Sequence, residues 1–240
     1  MDTPQNMPAL PFGLGRLYKP DERDHKFLIR SLVGEELSPL VHKHYSTGPI
    51  LDQGASSKCV AYAGYQWLVS SPVRNKFMDF GEDQLYTYAQ QNDEWGGESP
   101  AYEGTSVRGL MKAFKNLGYV SSYYWAFNVA DCTSFILQHA PMVFGTTWTK
   151  TMFSPFKYSR RTFITVGSLA PNNVAGGHAY LAHGVNRGIP CKDGSLGAFL
   201  CTNSWGKNWG NRGHFYISFS DIEKLLAQDG EAACAMEVKK

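Results

Sequence analysis

From Cys59 to Leu68 the positions Val60, Ala63, Gly64, Trp67 and Leu68 recur at helical spacing, which predicts a buried helix over 59–70. Gly54, Ser56 and Ser57 precede it as a turn with candidate N-caps, and Ser70-Ser71-Pro72 supplies the stop. Val107, Leu110, Met111 and Phe114 make a second stripe and predict a helix over 106–117, with a further helix over 81–91 and an extended return over 119–127. Past residue 140 the pattern changes. Short apolar runs between glycines predict strands over 142–147, 162–166, 178–185, 198–203 and 214–218, then a short surface helix over 221–228. Helices followed by strands read as an α+β chain, with a mainly helical lobe over 51–140, a mainly antiparallel β lobe over 141–240 and a cleft between them. Residues 1–50, with Pro4, Pro8, Pro11 and Pro20, read as an extended arm across both lobes, and 187–197 as a hairpin insertion shaping access to the cleft.

Composition narrows the classes. At 240 residues, 43% hydrophobic and 18% charged, the chain can bury a substantial core. A formal charge of +2 with scattered basic residues leaves no footprint for nucleic acid. No apolar run is long enough to span a bilayer, and Met1-Asp-Thr-Pro-Gln-Asn-Met-Pro8 lacks the basic start and apolar core of a secretory signal. The expected location is a cytoplasm or a particle assembled there. Cysteines at 59, 132, 191, 201 and 234 form no Cys-x2-Cys pair, so neither a metal nor another cofactor is expected. Their odd number fits a reducing compartment, although one free thiol plus two disulfides would also make five.

The chemistry lies in three blocks. Gln53 and Gly54 precede Cys59, Gly176-Gly177-His178-Ala179 follows much later, and Asn203-Ser204-Trp205-Gly206 comes after that. A thiol nucleophile needs a base, a group that orients the base, and donors for the developing oxyanion. At a helix N-terminus Cys59 would be in a position that favours thiolate. His183 is a decoy, five residues from His178 and on the opposite face of an uninterrupted strand. His25, His42, His44, His139 and His214 have no adjacent partner in sequence and read as ordinary.

These blocks resemble the papain-family cysteine peptidases, in particular the short bacterial, archaeal and phage variants without a long pro-segment. Gln53-Gly54-x4-Cys59 resembles the family's nucleophile block, Gly177-His178-Ala179-Tyr180-Leu181 its base-bearing strand, and Asn203-Ser204-Trp205-Gly206-x2-Trp209-Gly210 its most diagnostic stretch. Gly104-Thr105-Ser106-Val107-Arg108 resembles its substrate-groove segment, so the likeness runs from about Pro20 to the end of the chain. The resemblance implies a papain-like two-lobe fold with the active site in the cleft. It makes Cys59 the nucleophile, His178 the general base and acid, Asn203 the group that orients His178, and Trp205 the shield over that contact. The Gln53 side chain and the Cys59 backbone N–H would form the oxyanion hole, with Gly104, Thr105 and Gly177 lining the substrate groove.

Departures from the pattern are visible. Ser56 stands where secreted relatives carry a half-cystine, Val60 replaces an aromatic, and Lys58 adds a cation that would favour thiolate or remain solvated. Glu103, just before the groove glycine, would favour basic or polar substrate side chains. Residues 1–50 are too short for a long inhibitory pro-domain, but the stretch from Pro8 to Gly15 could lie in the groove. Three readings stay open: a cysteine endopeptidase acting on polypeptides, a thiol amidase acting on non-protein amides such as peptidoglycan, and a papain-fold structural component associated with a larger particle such as a virion.

Overall fold

The computed structural model describes residues 11–33, 40–74, 80–96 and 102–235. Pro4, Pro8 and the rest of the arm before Pro11 lie outside these residues. The first half of the chain carries helices α1 (Arg30–Val33), α2 (Cys59–Val69), α3 (Glu82–Gln90), α4 (Val107–Asn116) and α5 (Val129–Gln138), with short strands β1 (His42–His44) and β2 (Tyr123–Ala126) among them. The second half carries β3 (Met142–Thr149), β4 (Phe156–Tyr158), β5 (Arg161–Phe163), β6 (Val174–Pro190), β7 (Leu196–Thr202), β8 (His214–Ser218), α6 (Phe219–Leu226) and β9 (Glu231–Ala235). Among the described residues no helix is long and apolar enough to cross a membrane.

Helices α2 to α4 form where the stripes predict them. Val60, Ala63, Gly64, Trp67 and Leu68 of α2 are all buried, as are Val107, Leu110, Met111 and Phe114 of α4. The α2 cap differs from the serine expected: Lys58 is the N-cap, with no side-chain cap bond. Ser56 instead bonds the Gln53 carbonyl and Ser57 bonds Glu103, so both hydroxyls are already committed. At α4 Ser106 caps the Gly109 N–H at 2.8 Å, satisfying one of the donors a helix start leaves open.

The strands form one sheet in the order β2-β9-β3-β6-β7-β8-β5-β4, with β1 added against β6. Every pairing is antiparallel except β5 with β8. Buried apolar residues form two main clusters. One joins Cys59, Trp67, Leu85 and Phe114 of the helices to Val143, Ala179 and Ala233 of the sheet. The other lies on β3, β6, β7 and β8 and takes in Phe135, Ile136 and Leu137 of α5. Helix α5 was not expected from the sequence, and it packs with this second cluster. Phe144 sits fully buried there between Tyr180 and Phe199, with ring centroids at 5.8 and 5.3 Å. Phe144→Ala is expected to lower stability by about 3–5 kcal/mol in chemical denaturation, through lost transfer energy plus the cavity left behind.

The 187–197 insertion is a hairpin, as predicted, with Pro190 opposite Leu196 and Cys191 N–H bonded to Ser195 O at 2.9 Å. Its expected role in access to the cleft is corrected. Arg187 is nine residues along β6 from His178, roughly 30 Å at strand rise, and Ile189 and Cys191 pack with Phe163 beside β4 and β5.

Candidate active site

Cys59 opens α2 with its side chain fully buried. The Ala179 N–H donates to its Sγ at 3.3 Å, which brings the sulfur to the backbone next to His178. His178 Nε2 meets Asn203 Oδ1 at 2.8 Å, and its other ring nitrogen has no hydrogen-bond partner among the described residues. Asn203 is held in turn, because its N–H donates to the Gly213 carbonyl at 2.9 Å and its Oδ1 also accepts from the Ser204 N–H at 2.8 Å.

Aromatic rings enclose the His178–Asn203 contact. Trp205 and Trp148 each place a ring centroid 4.7 Å from the imidazole, at interplanar angles of 31° and 69°. Trp205 is itself stacked between Phe12 and Phe153, at 4.7 and 5.4 Å. A hydrogen bond walled off in this way is strengthened by the low local dielectric. Gln53 is tied to the same block. Its N–H donates to Ser204 O at 2.8 Å and its Oε1 accepts from Ser204 Oγ at 2.6 Å, so the Asn203 block also positions Gln53.

The arm runs through this site. Gly15 and Arg16 N–H both donate to the Gly177 carbonyl, at 3.1 and 3.0 Å; Thr105 N–H donates to Gly15 O at 3.0 Å and Leu17 N–H to Thr105 O at 2.9 Å. Trp205 Nε1 donates to Gly13 O at 3.0 Å, and Gln53 Nε2 donates to Ser56 O at 2.6 Å and to Leu14 O at 3.4 Å. Every residue expected to line the groove is therefore in contact with residues 13–17. Gly104, at φ +96, and Gly177 are where this approach requires glycine, since a Cβ would strike the Gly15 carbonyl at one and the Arg16 carbonyl at the other.

Burial governs the electrostatics. Cys59 and His178 are both 0% exposed. Burial pushes the Cys59 thiol up to about 12, against the opposing influence of the Ala179 N–H, the Arg16 charge and the Val60 and Arg16 N–H groups. Burial takes His178 down to about 4, with the Asn203 bond opposing it. Both groups are neutral at pH 7 with the arm in place.

Lys58 contributes nothing to the thiol here. Its Nζ pairs with Asp83 at 2.8 Å, and its charge is not among the influences on the sulfur. Glu103 is exposed and holds Ser57 Oγ at 2.8 Å, on the loop before the nucleophile. His183 is buried, bonded to the Tyr45 carbonyl at 3.1 Å and to His214 Nδ1 at 3.2 Å, and is no part of this constellation. All five cysteines are free and buried. Sequence reasoning did not find Trp148, Arg16 or Glu231, and it placed Phe12 in a stretch that could lie in the groove without its stack on Trp205. Only Glu231 carried a signal: a single carboxylate heading the apolar run Glu231-Ala-Ala-Cys-Ala235.

The fold has counterparts among solved structures. Xylellain, a cysteine protease from Xylella fastidiosa, superposes with a TM-score of 0.69 at 15% identity, covering 97% of this chain and 99% of that one. The digestive procathepsin L 3 of Tenebrio molitor larval midgut gives 0.62 at 12% identity over 95% of this chain and 77% of its own. Bromelain from Ananas comosus, solved in complex with the E64 inhibitor, gives 0.55 at 12% identity over 82% and 99%. No protein-family model and no curated protein sequence matches the chain.

Proposed function

We propose that this chain, whose fold is that of the papain-like cysteine proteases, is a cysteine peptidase held latent by its own residues 12–17. The observation that carries the reading is the enclosed His178–Asn203 bond of 2.8 Å beside a thiol bonded to the next residue's N–H. Once the arm leaves, water reaches Cys59 and His178, and the proton moves from Sγ to the imidazole. The thiolate is then stabilised by the α2 N-terminus and by the imidazolium it has created. Sγ attacks the scissile carbonyl carbon, and the oxygen takes up negative charge where Gln53 Nε2 now meets the Leu14 carbonyl. Such a donor contributes about 2.7–4 kcal/mol to the transition state. His178 gives its proton to the leaving amine as the C–N bond breaks, which leaves a thioester on Cys59. Water attacks the thioester while His178 takes its proton, and the acid leaves with Cys59 regenerated.

Arg16→Ala, which removes the arm's buried ion pair and is expected to loosen the arm, is expected to create new amino termini when incubated with an unfolded polypeptide, and none when Cys59→Ala is added. Cleavage of cell-wall amides with polypeptides left intact would instead assign a thiol amidase. In the same background Asn203→Ala is expected to lower kcat by about 10²-fold with KM little changed, because Asn203 orients the base and does not touch substrate. Steady-state kinetics on one fluorogenic peptide checks this. A loss confined to KM would contradict the role.

A further inference from the structure

Residues 12–17 seat one charged side chain in a pocket beside the nucleophile. Arg16 Nε and Nη2 lie 3.3 and 3.0 Å from Glu231 Oε1, and Nη2 donates to the Asp229 carbonyl at 2.5 Å. The two side chains are only 3% and 2% exposed. Val107 and Gly145 form the wall, since a Cβ on Gly145 would press on Val107, on Arg16 Nε and on Glu231 Oε1. Thr105 and Gly177 bond the backbone on both sides of Arg16, so the pocket opens onto the groove that holds Cys59.

The pocket carries its own demand for a cation. Glu231 stands at the start of a core strand with no solvent to stabilise its charge, and burial raises its pKa while Arg16 opposes the shift. Arg108, the other guanidinium acting on it, is already held by Asp24, Glu94 and the Lys19 carbonyl. The Tyr18 ring, 4.5 Å from Arg16 Cζ, belongs to the arm and leaves with it. Departure of the arm thus leaves a carboxylate at the base of the pocket without its partner, a place that a new cation entering from the groove can take. The pocket's acceptors match a planar fork: Nε and Nη2 share one carboxylate oxygen and Nη2 also reaches a carbonyl, which favours guanidinium over ammonium.

The geometry points to a guanidinium-binding subsite made by Glu231, the Asp229 carbonyl, Val107 and Gly145, which selects polypeptide substrates by an arginine side chain and is occupied in the latent chain by Arg16. This rests on the peptidase reading above for its use, but the subsite binds whether or not the thiol reacts. If the Arg16–Glu231 pair served only to tie down the arm, releasing the arm would expose Cys59 without giving any preference among peptides.

The test is calorimetric binding to the full-length chain carrying Arg16→Ala and Cys59→Ala. The probes are blocked tripeptides with arginine, leucine or glutamate at the central residue. Arginine is expected to bind tighter than leucine by about tenfold or more, with glutamate weakest, and adding Glu231→Gln is expected to remove the preference. Equal binding of arginine and leucine, or a preference that survives Glu231→Gln, would overturn the subsite. Should Arg16→Ala prove unfolded by thermal melting, Arg16→Lys keeps a cation on Glu231 while losing the fork, and the same ranking is expected at weaker apparent affinity. Alkylation of Cys59 in the Arg16→Ala chain reports separately on the thiol, so an inert thiol with arginine preference intact would fault the peptidase reading alone.

Discussion

Cys59→Ala, made in the Arg16→Ala chain, is expected to remove peptide hydrolysis to background, a loss on the order of 10⁵-fold or more in kcat. His178→Ala is expected to come close to it, and the double variant to be no worse than either alone. The thiolate and imidazolium form as one pair, so losing either member forfeits nearly the whole contribution of both. Trp148 and Trp205 wall the His178 ring, which hydrogen-bonds no titratable side chain among the described residues that could substitute. Active-site-normalised kinetics on one peptide substrate checks the set. Single-variant losses that multiply in the double variant would mean that the two residues act independently, against the proposed mechanism.

The second large effect is on the reactivity of the thiol and its pH dependence. With the arm bound, the thiol stands at about 12 and His178 at about 4. The thiolate fraction at pH 7 is then roughly 10⁻⁵, and alkylation of the wild-type chain is expected to rise only in the alkaline range. Release of residues 12–17 is expected to open both groups to water and so reduce the burial that is the largest influence on each. Loss of the Arg16 charge works in the opposite direction on the thiol, but it ranks behind burial. Arg16→Ala is therefore expected to raise the iodoacetamide rate at pH 7 by on the order of 10²- to 10³-fold, with reactivity persisting into the acid range. Rates from pH 5 to 9 on both chains check this, and superimposable profiles would mean that the arm does not control the thiol.

What could be read from the sequence was what lies close together in it. The stripes of α2 and α4, the short apolar runs of β3, β5, β6, β7 and β8, and the blocks around Cys59, His178 and Asn203 are each local, and the fold brings the three blocks together. Helix α5 escaped because Asp131 to Leu137 is buried all round, leaving no contrast between faces for a periodicity to show. Strand β9, Glu231-Ala-Ala-Cys-Ala235, escaped because small residues without β-branching carry little strand signal. The arm's seat in the groove was suggested by its prolines and glycines, but its anchor was not. Arg16 and Glu231 are 215 residues apart, and only the approach of β9 to β3 sets the carboxylate behind the groove. The cap on α2 was missed for a related reason: the serines chosen as caps find partners in Gln53 and Glu103 instead.

The central claim is that an assembled thiol site lies closed beneath its own chain. Intact-mass labelling with a peptidyl epoxysuccinate at pH 6 tests it most directly, on wild type, Arg16→Ala, and Arg16→Ala combined with Cys59→Ala or His178→Ala. The account predicts a single adduct, slow in wild type, fast in Arg16→Ala, absent when Cys59 is replaced and nearly absent when His178 is replaced. Slow labelling scattered over several cysteines in every chain, with no acceleration on loss of Arg16, would contradict it.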